Sequence, residues 1–364
     1  MEALRQTAEE RCASELAALQ ACDPHPRPPR WNLSPRAVET FILGSTDPVG
    51  GVAISPKYVG DPGLVQVAIA TLASDRGLLL LGEPGTAKSR LSEHLAAAIS
   101  GSSELLVQGT AGTTEDHLKY GWNYALLLSQ GPSESAIVPS PVYRAMEAGR
   151  IVRVEEITRI LPEIQDALIS ILSEKSLAIP ELRRSLHAAP GFNAIATANT
   201  RDRGVNEMSS ALRRRFNFVR LPVLEDLETE MAVVTGRLRE LQTQYDVASE
   251  VPPDLVRVLT TLFQELRRGR THDGRARVRS PASILSTAEL IGVLFHGAIL
   301  ARQFGHGRMT AEDAARSLAG AVAKENDSDL GVLREYLETV APGRTEPAWK
   351  EFRAAAGRIA REEV

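Results

Sequence analysis

Cysteine is nearly absent from this 364-residue chain: only Cys12 and Cys22 occur, both in a polar, helix-favouring N-terminal segment. Two thiols placed this way exclude a disulfide framework and read as reduced thiols of an intracellular protein. The seven histidines (His25, His94, His117, His187, His272, His296 and His306) are scattered, and no His/Cys spacing fits a zinc site. Long apolar runs are missing as well. The longest candidate, Leu290 to Ala301, is far shorter than the ~20 residues a bilayer requires and contains His296, so it reads as a buried helix and no membrane partner is expected. Met1-Glu-Ala-Leu-Arg-Gln-Thr7 shows no charged stretch leading into an apolar core; no signal peptide is expected, and the expected location is cytoplasmic. Neither sign of charge dominates. With 42 basic and 46 acidic residues the net charge is −4, which excludes a protein that coats nucleic acid along its whole surface.

What is present is concentrated at Gly77-Leu-Leu-Leu-Leu-Gly-Glu-Pro-Gly-Thr-Ala-Lys-Ser89, where an apolar run of buried-strand type feeds a glycine-rich turn ending in Lys-Ser. Such a turn holds the phosphates of a nucleoside triphosphate. Gly82 and Gly85 let backbone N–H groups converge on phosphate oxygens, and Arg90 to Ile99 read as the helix whose N-terminus faces the anion. The binding set is therefore Gly82, Glu83, Pro84, Gly85, Thr86, Ala87, Lys88 and Ser89. Lys88 is expected to reach the β and γ phosphates of ATP, and Ser89 to offer its hydroxyl to Mg²⁺. The strict pattern has glycine before the lysine. Ala87 fits there if its dihedrals are helical and no positive φ is needed.

A second signal follows at Gly149-Arg-Ile-Val-Arg-Val-Glu-Glu-Ile-Thr158, a short apolar strand ending in paired carboxylates. Such a strand is expected beside the first, with Glu155 on the metal side and Glu156 polarising the attacking water. Arg153, inside that strand, is out of place in a sheet covered on both faces. A third strand, Phe192 to Asn199, ends in an amide able to bond both a water and a γ-phosphate. Beyond it, Ser209-Ser-Ala-Leu-Arg-Arg-Arg-Phe216 sets an arginine cluster before one more strand.

In order and spacing these four segments resemble those of AAA+ ATPases, and in local wording the MoxR branch, over roughly Pro56 to Leu300. That branch has DEINR where this chain has Glu155-Glu-Ile-Thr-Arg159, ALLEAMQE where it has Ala167-Leu-Ile-Ser-Ile-Leu-Ser-Glu174, and ATQNP where it has Ala196-Thr-Ala-Asn-Thr200. The resemblance implies that Glu156 activates water, that Asn199 is the sensor-1 residue, and that Arg215 is the finger reaching a neighbouring subunit's γ-phosphate, with Arg214 in reserve. Two departures stand out. Glu155 replaces the branch's metal-side aspartate, one methylene longer, so the Mg²⁺ shell is expected to be rearranged and turnover slow; restoring Asp is expected to maintain or raise it. Ala282 stands where a sensor-2 arginine would, leaving Arg279 or Arg277 to contact nucleotide.

The expected fold is α/β: an AAA+ P-loop parallel five-stranded sheet with helices on both faces, then a helical lid and a helical C-terminal extension. The strands are placed at Leu78–Leu81, Leu105–Gln108, Ile151–Val154, Phe192–Thr197 and Asn217–Leu221. Residues 1–50 form an N-terminal helical arm outside the core, with a stiff linker at Asp23-Pro-His-Pro-Arg-Pro-Pro-Arg30; 51–223 form the nucleotide-binding domain, 224–304 the lid, and 305–364 the extension. Two excursions exceed a minimal crossover. Gly121 to Ser140 matches the position of the MoxR helix-2 insert, and Ser176 to His187 reads as a hairpin; the resemblance implies that both face a ring pore. The basic loop Arg267 to Arg279 carries no interleaved aromatics, so nucleic acid is not expected as a partner. By resemblance the function is that of an ATP-driven homo-oligomeric ring, a hexamer, which assembles, metallates or activates a client protein with a von Willebrand factor A domain adaptor. No Asp-x-Ser-x-Ser motif occurs here, so that adaptor is a separate polypeptide. The other readings are a nucleic-acid motor of a restriction or defence system and a weakly hydrolysing nucleotide-dependent scaffold.

Overall fold

The four leucines of Leu78–Leu81 are buried or nearly so because their strand lies in the middle of a sheet with both faces covered. The computed structural model describes residues 6–199, 206–281, 285–322 and 327–362. Among these, five strands form one parallel sheet: β1 (Gly77–Gly82), β2 (Leu106–Gln108), β3 (Ile151–Glu155), β4 (Asn193–Asn199) and β5 (Phe216–Arg220). Their spatial order is β2-β3-β4-β1-β5. This order corrects one expectation. The acidic strand β3 does not lie beside β1; β4 sits between them, paired to β1 from Leu78 opposite Ile195 to Gly82 opposite Asn199, and to β3 from Ile151 opposite Asn193.

Alternation along the strands divides two cores. Leu78, Leu80, Ile151 and Ile195 point to one side, where they meet Leu91, Leu95 and Ile99 of helix α1 (Lys88–Ser100) and Val65 and Ile69 of the helix Pro62–Leu72. Leu79, Val152, Val154 and Ala196 point to the other, against Val142 and Met146 of the helix Pro141–Ala148 and Leu168 and Ile171 of Ala167–Ser173.

The N-terminal segment does not stand outside this core. Leu19, Trp31, Leu33, Phe41 and Ile42 are buried in the cluster that contains α1. Glu9 accepts hydrogen bonds from the backbone N–H and hydroxyl of Ser103, Arg11 pairs with Glu93 on α1, and the buried Lys57 pairs with Glu15 at 2.5 Å. The Pro-rich stretch is pinned where Asp23 accepts from the Ser34 N–H and hydroxyl. Both excursions are present as elements of their own. Tyr120–Trp122 pairs antiparallel with Ile137–Pro139 around the helix Tyr124–Gln130, and Ser176–Ile179 pairs with Arg184–His187.

The chain divides into two compact units, the first running to Pro222 without Pro84–Thr86, the second from Val223 with those three residues. The second unit is helical: α2 (Leu227–Gln244), α3 (Pro253–Arg268), α4 (Thr287–Gln303), α5 (Ala311–Val322), α6 (Asp327–Thr339) and α7 (Pro347–Glu362). One core runs through all of it, from Val234 and Leu238 through Leu259, Phe263 and Leu294 to Tyr336 and Phe352, so the expected lid and extension share a single interior. Two buried carboxylates fasten that interior. Glu230 on α2 accepts from Gln264, Arg267 and Thr287, and Glu265 on α3 accepts from the Tyr336 hydroxyl, the Arg344 guanidinium and the His272 N–H.

Candidate nucleotide site

Strand order brings the chemistry together. β1, β4 and β3 are adjacent and parallel, so their carboxyl ends present the P-loop, Asn199 and the Glu155–Glu156 pair side by side. Gly82 ends β1, and Gly85 turns the loop at φ +78°, a conformation glycine adopts without cost. Ala87 corrects an expectation: it is the residue before α1 and has φ 63° and ψ 21°, left-handed rather than helical. A β-carbon there costs roughly 1–2 kcal/mol relative to glycine. The position thus needs what the strict motif supplies, and the chain carries the strain instead.

Lys88 is buried, and its Nζ donates to the carbonyls of Gly82 at 3.0 Å and Glu83 at 2.8 Å, so the ammonium lies folded over the loop it terminates. Ser89 is exposed, and its hydroxyl donates to Glu155 Oε2 at 2.7 Å. Glu155 is buried and takes four bonds: Ser89 and Thr197 hydroxyls on Oε2, and the Ser92 hydroxyl at 2.5 Å and an Arg153 guanidinium nitrogen at 2.9 Å on Oε1. Burial pushes its pKa up, but the Ser92 hydroxyl, the Arg153 charge and the Thr197 and Ser89 hydroxyls outweigh it and hold the carboxyl below its ordinary value. Glu155 is therefore ionised.

Glu156 has left-handed dihedrals too, φ 55° and ψ 47°. Its N–H donates to Thr197 Oγ1 at 3.0 Å, and both its carboxylate oxygens accept from Asn199 Nδ2 at 3.0 Å. Arg159 stands 3.7 Å from Oε2. Strained dihedrals in a non-glycine residue persist where the surroundings over-determine them, and they cluster at functional positions. Here the surroundings include Gly109, whose N–H donates to the Glu155 carbonyl at 2.7 Å and whose missing β-carbon would lie 2.4 Å from the Glu156 carbonyl oxygen. A cavity of about 330 Å³ opens beside Glu156, lined by Gln108, Gly109, Thr110, Ala111 and Arg159.

Arg215 is half-buried; its Nε donates to Ser173 Oγ at 2.7 Å and its Nη1 to the Ala211 carbonyl at 2.6 Å. Arg214 is exposed; its N–H donates to the Ser210 carbonyl at 3.3 Å, and its guanidinium makes no hydrogen bond or ion pair among the described residues. Arg279 and Arg277 are exposed in the second unit, and Ala282 and Thr200 lie outside the described residues. Among the described residues no group of three or more His, Cys, Asp or Glu is placed to hold a metal ion, and no helix is long and apolar enough to cross a membrane. The oxygen donors Ser89 and Glu155 suit a hard cation such as Mg²⁺, which is completed by phosphate and water rather than by a protein cage.

Sequence reasoning missed Ser92 and Thr197. Ser92 lies one turn after Ser89 on the same face of α1, and Thr197 is two residues before Asn199 on the same face of β4; these spacings were the available signal. Arg153, out of place in the sequence of its strand, has a defined set of partners. It is buried, with Nε on Ser92 Oγ, Nη1 on the Ser103 carbonyl and Nη2 on the Ser89 carbonyl and Glu155.

Comparison with known proteins adds the family. Residues 77–216 match the AAA domain of the dynein-related subfamily, and residues 228–355 match the C-terminal domain of YehL-like AAA+ ATPases. A Staphylococcus haemolyticus protein, SH1500, is 29% identical over 174 residues, which are 47% of this chain and 65% of that protein. Among solved structures, NtrX from Brucella abortus in complex with ADP superposes with a TM-score of 0.52 at 14% identity, over 84% of this chain and 66% of that one, a likeness of fold. The Escherichia coli K12 protein YehL is 42% identical over 350 residues, 95% of each chain. With one relative aligned nearly end to end and both halves matched in order, this chain belongs to the YehL-like family of AAA+ ATPases.

Proposed function

We propose that the protein binds and hydrolyses ATP with Mg²⁺ and uses the cycle, as a MoxR-like ring, to assemble, metallate or activate a client protein. The observation that carries this reading is the convergence of Lys88, Ser89, Glu155, Glu156 and Asn199 at the ends of three adjacent strands. Lys88 exchanges its carbonyl partners for β- and γ-phosphate oxygens, which are stronger acceptors. Ser89 and Glu155 form the metal side, where bound Mg²⁺ would neutralise phosphate charge. Glu156 polarises the attacking water, and Asn199, already on its carboxylate, holds that water and the γ-phosphate in line. Arg279 serves as the lid-side phosphate contact.

In this reading a head-to-tail hexamer supplies each site with an arginine from the next subunit. Arg215 is the proposed finger, and it must leave Ser173 and Ala211 to act. Arg214 is the second reading, favoured by its exposure. A separate von Willebrand factor A domain adaptor is the proposed partner, and the helix-2 insert and hairpin are the proposed client-facing elements. Affinity capture with Glu156→Gln in the presence of ATP tests the reading: the trapped ring should retain adaptor and client, and recovery of the same proteins from Lys88→Ala would refute it. A weakly hydrolysing scaffold is the second functional reading, favoured by the way Arg153 occupies one side of Glu155; steady-state turnover of the assembled ring separates the two.

A further inference from the structure

Most of the site is accounted for by nucleotide chemistry. Arg153 is not. A guanidinium costs a great deal to bury unless its donors are satisfied and its charge is matched, and a strand interior would ordinarily carry an apolar residue there. Arg153 lies on the α1 side of β3, 7% exposed, with Glu155 two residues on and 3% exposed. Its three nitrogens are committed to Ser92 Oγ at 3.0 Å, the Ser103 carbonyl at 3.1 Å, the Ser89 carbonyl at 3.2 Å and Glu155 Oε1 at 2.9 Å. Held this way it cannot swing out to a phosphate. It stands behind the carboxylate, on the oxygen opposite the one that faces Ser89.

We infer that Arg153 is a positioning residue that neutralises the metal-side carboxylate from behind, so that the sheet end holds a divalent cation only together with a nucleotide's phosphates. The inference rests on the metal-side assignment of Ser89 and Glu155 proposed above. A carboxylate alone would offer the cation one negative charge; the Glu155–Arg153 pair offers none in sum, and a fixed positive charge a few ångströms beyond Oε2 opposes any cation that arrives unaccompanied. The same geometry gives the extra methylene a purpose. The Glu155 side chain spans from Ser89 Oγ to the Arg153 guanidinium, and an aspartate at that position would be too short to keep both contacts.

The test is a Mn²⁺ titration of the full-length protein, with free Mn²⁺ read by electron paramagnetic resonance, without nucleotide and with ADP. The wild type should bind Mn²⁺ only with ADP. Arg153→Leu should bind it without ADP at least about tenfold more tightly than the wild type. Arg153→Lys, which keeps the charge and loses the fork of donors, should behave like the wild type toward Mn²⁺ even if it melts earlier; a purely structural arginine would not divide the two variants this way. If Arg153→Leu does not fold, Arg153→Leu with Glu155→Asp gives the same readout and should also gain affinity for Mn²⁺ alone. Tight Mn²⁺ binding by the nucleotide-free wild type, or no gain in either uncharged variant, overturns the inference. Failure of the wild type to take up Mn²⁺ even with bound ADP strikes the metal-side assignment itself, and the inference with it.

Discussion

Glu265 with Arg344 in the helical unit and Glu155 with Arg153 at the sheet end are both buried carboxylates paired with a guanidinium, and they serve opposite ends. In the helical unit Glu265 is sealed: burial raises the pKa of Tyr336, and the bond its hydroxyl gives to Glu265 raises it further, while Arg344 closes the remaining side. Glu265 joins α3 to α6 and to the turn before α7, so it ties the expected lid to the expected extension. At the sheet end Glu155 is also buried, and one of its partners is the exposed Ser89, which ends the phosphate-binding turn. The partners of the lid carboxylate, Tyr336, Arg344 and the His272 N–H, all belong to the helical unit, and its work is cohesion. The sheet pair is bonded inward through Arg153 and Ser92 and outward through Ser89, so its geometry is transmitted to whatever binds at the loop. Burial and pairing alone do not identify a functional charge; the place of its partners in the fold does.

Four substitutions break or sharpen that contrast. Glu156→Gln should leave nucleotide affinity near its original value and reduce turnover about 10²- to 10⁴-fold, measured by phosphate release. Glu265→Ala should cost about 3–5 kcal/mol of stability in the helical unit, because Arg344 and Tyr336 lose their acceptor; denaturant melts should show it while the far-UV signature of the sheet persists. Lys88→Ala should weaken Mg-ATP binding roughly 100-fold, about 2.7 kcal/mol, in a fluorescent-nucleotide titration, and undiminished affinity would remove the P-loop assignment. The smallest effect is expected from Ala87→Gly, which relieves a left-handed alanine and should raise the melting temperature by the equivalent of about 1 kcal/mol.

One further exchange reverses an expectation. From sequence, Glu155→Asp restores the residue of the MoxR branch and should maintain or raise activity. With Arg153 behind the carboxylate, shortening the side chain strands a buried guanidinium, and we expect a loss of about 2–3 kcal/mol in stability together with lower turnover. Equal melting temperatures for the two proteins would show that Arg153 finds another acceptor. In the proposed ring, mixing Arg215→Ala with Lys88→Ala subunits should restore some activity, and the same mixture made with Arg214→Ala decides which arginine crosses the interface.

The sheet was legible in the sequence because its strands are short segments rich in apolar residues, and the P-loop because its backbone demands leave few residue choices. Glu155, Glu156 and Asn199 were legible as strand-end residues. Their order across the sheet was not: that β4 separates β1 from β3 depends on which strands exchange hydrogen bonds, and no local pattern encodes it. Ala87 was misjudged for a related reason, since the φ of a loop residue is imposed by the strand and helix it must join. The alanine- and leucine-rich N-terminus announced helices, but its burial depends on Glu9, Arg11 and Glu15 meeting Ser103, Glu93 and Lys57 across long sequence separations. By itself the sequence determined which backbone segments form strands and helices and where a phosphate-binding turn lies, because those follow from local sterics and hydrophobic period. Only the tertiary structure decided that Arg153 stands behind Glu155, that Thr197 links both glutamates, and that lid and extension share one interior, because each depends on side chains that meet only when distant segments pack.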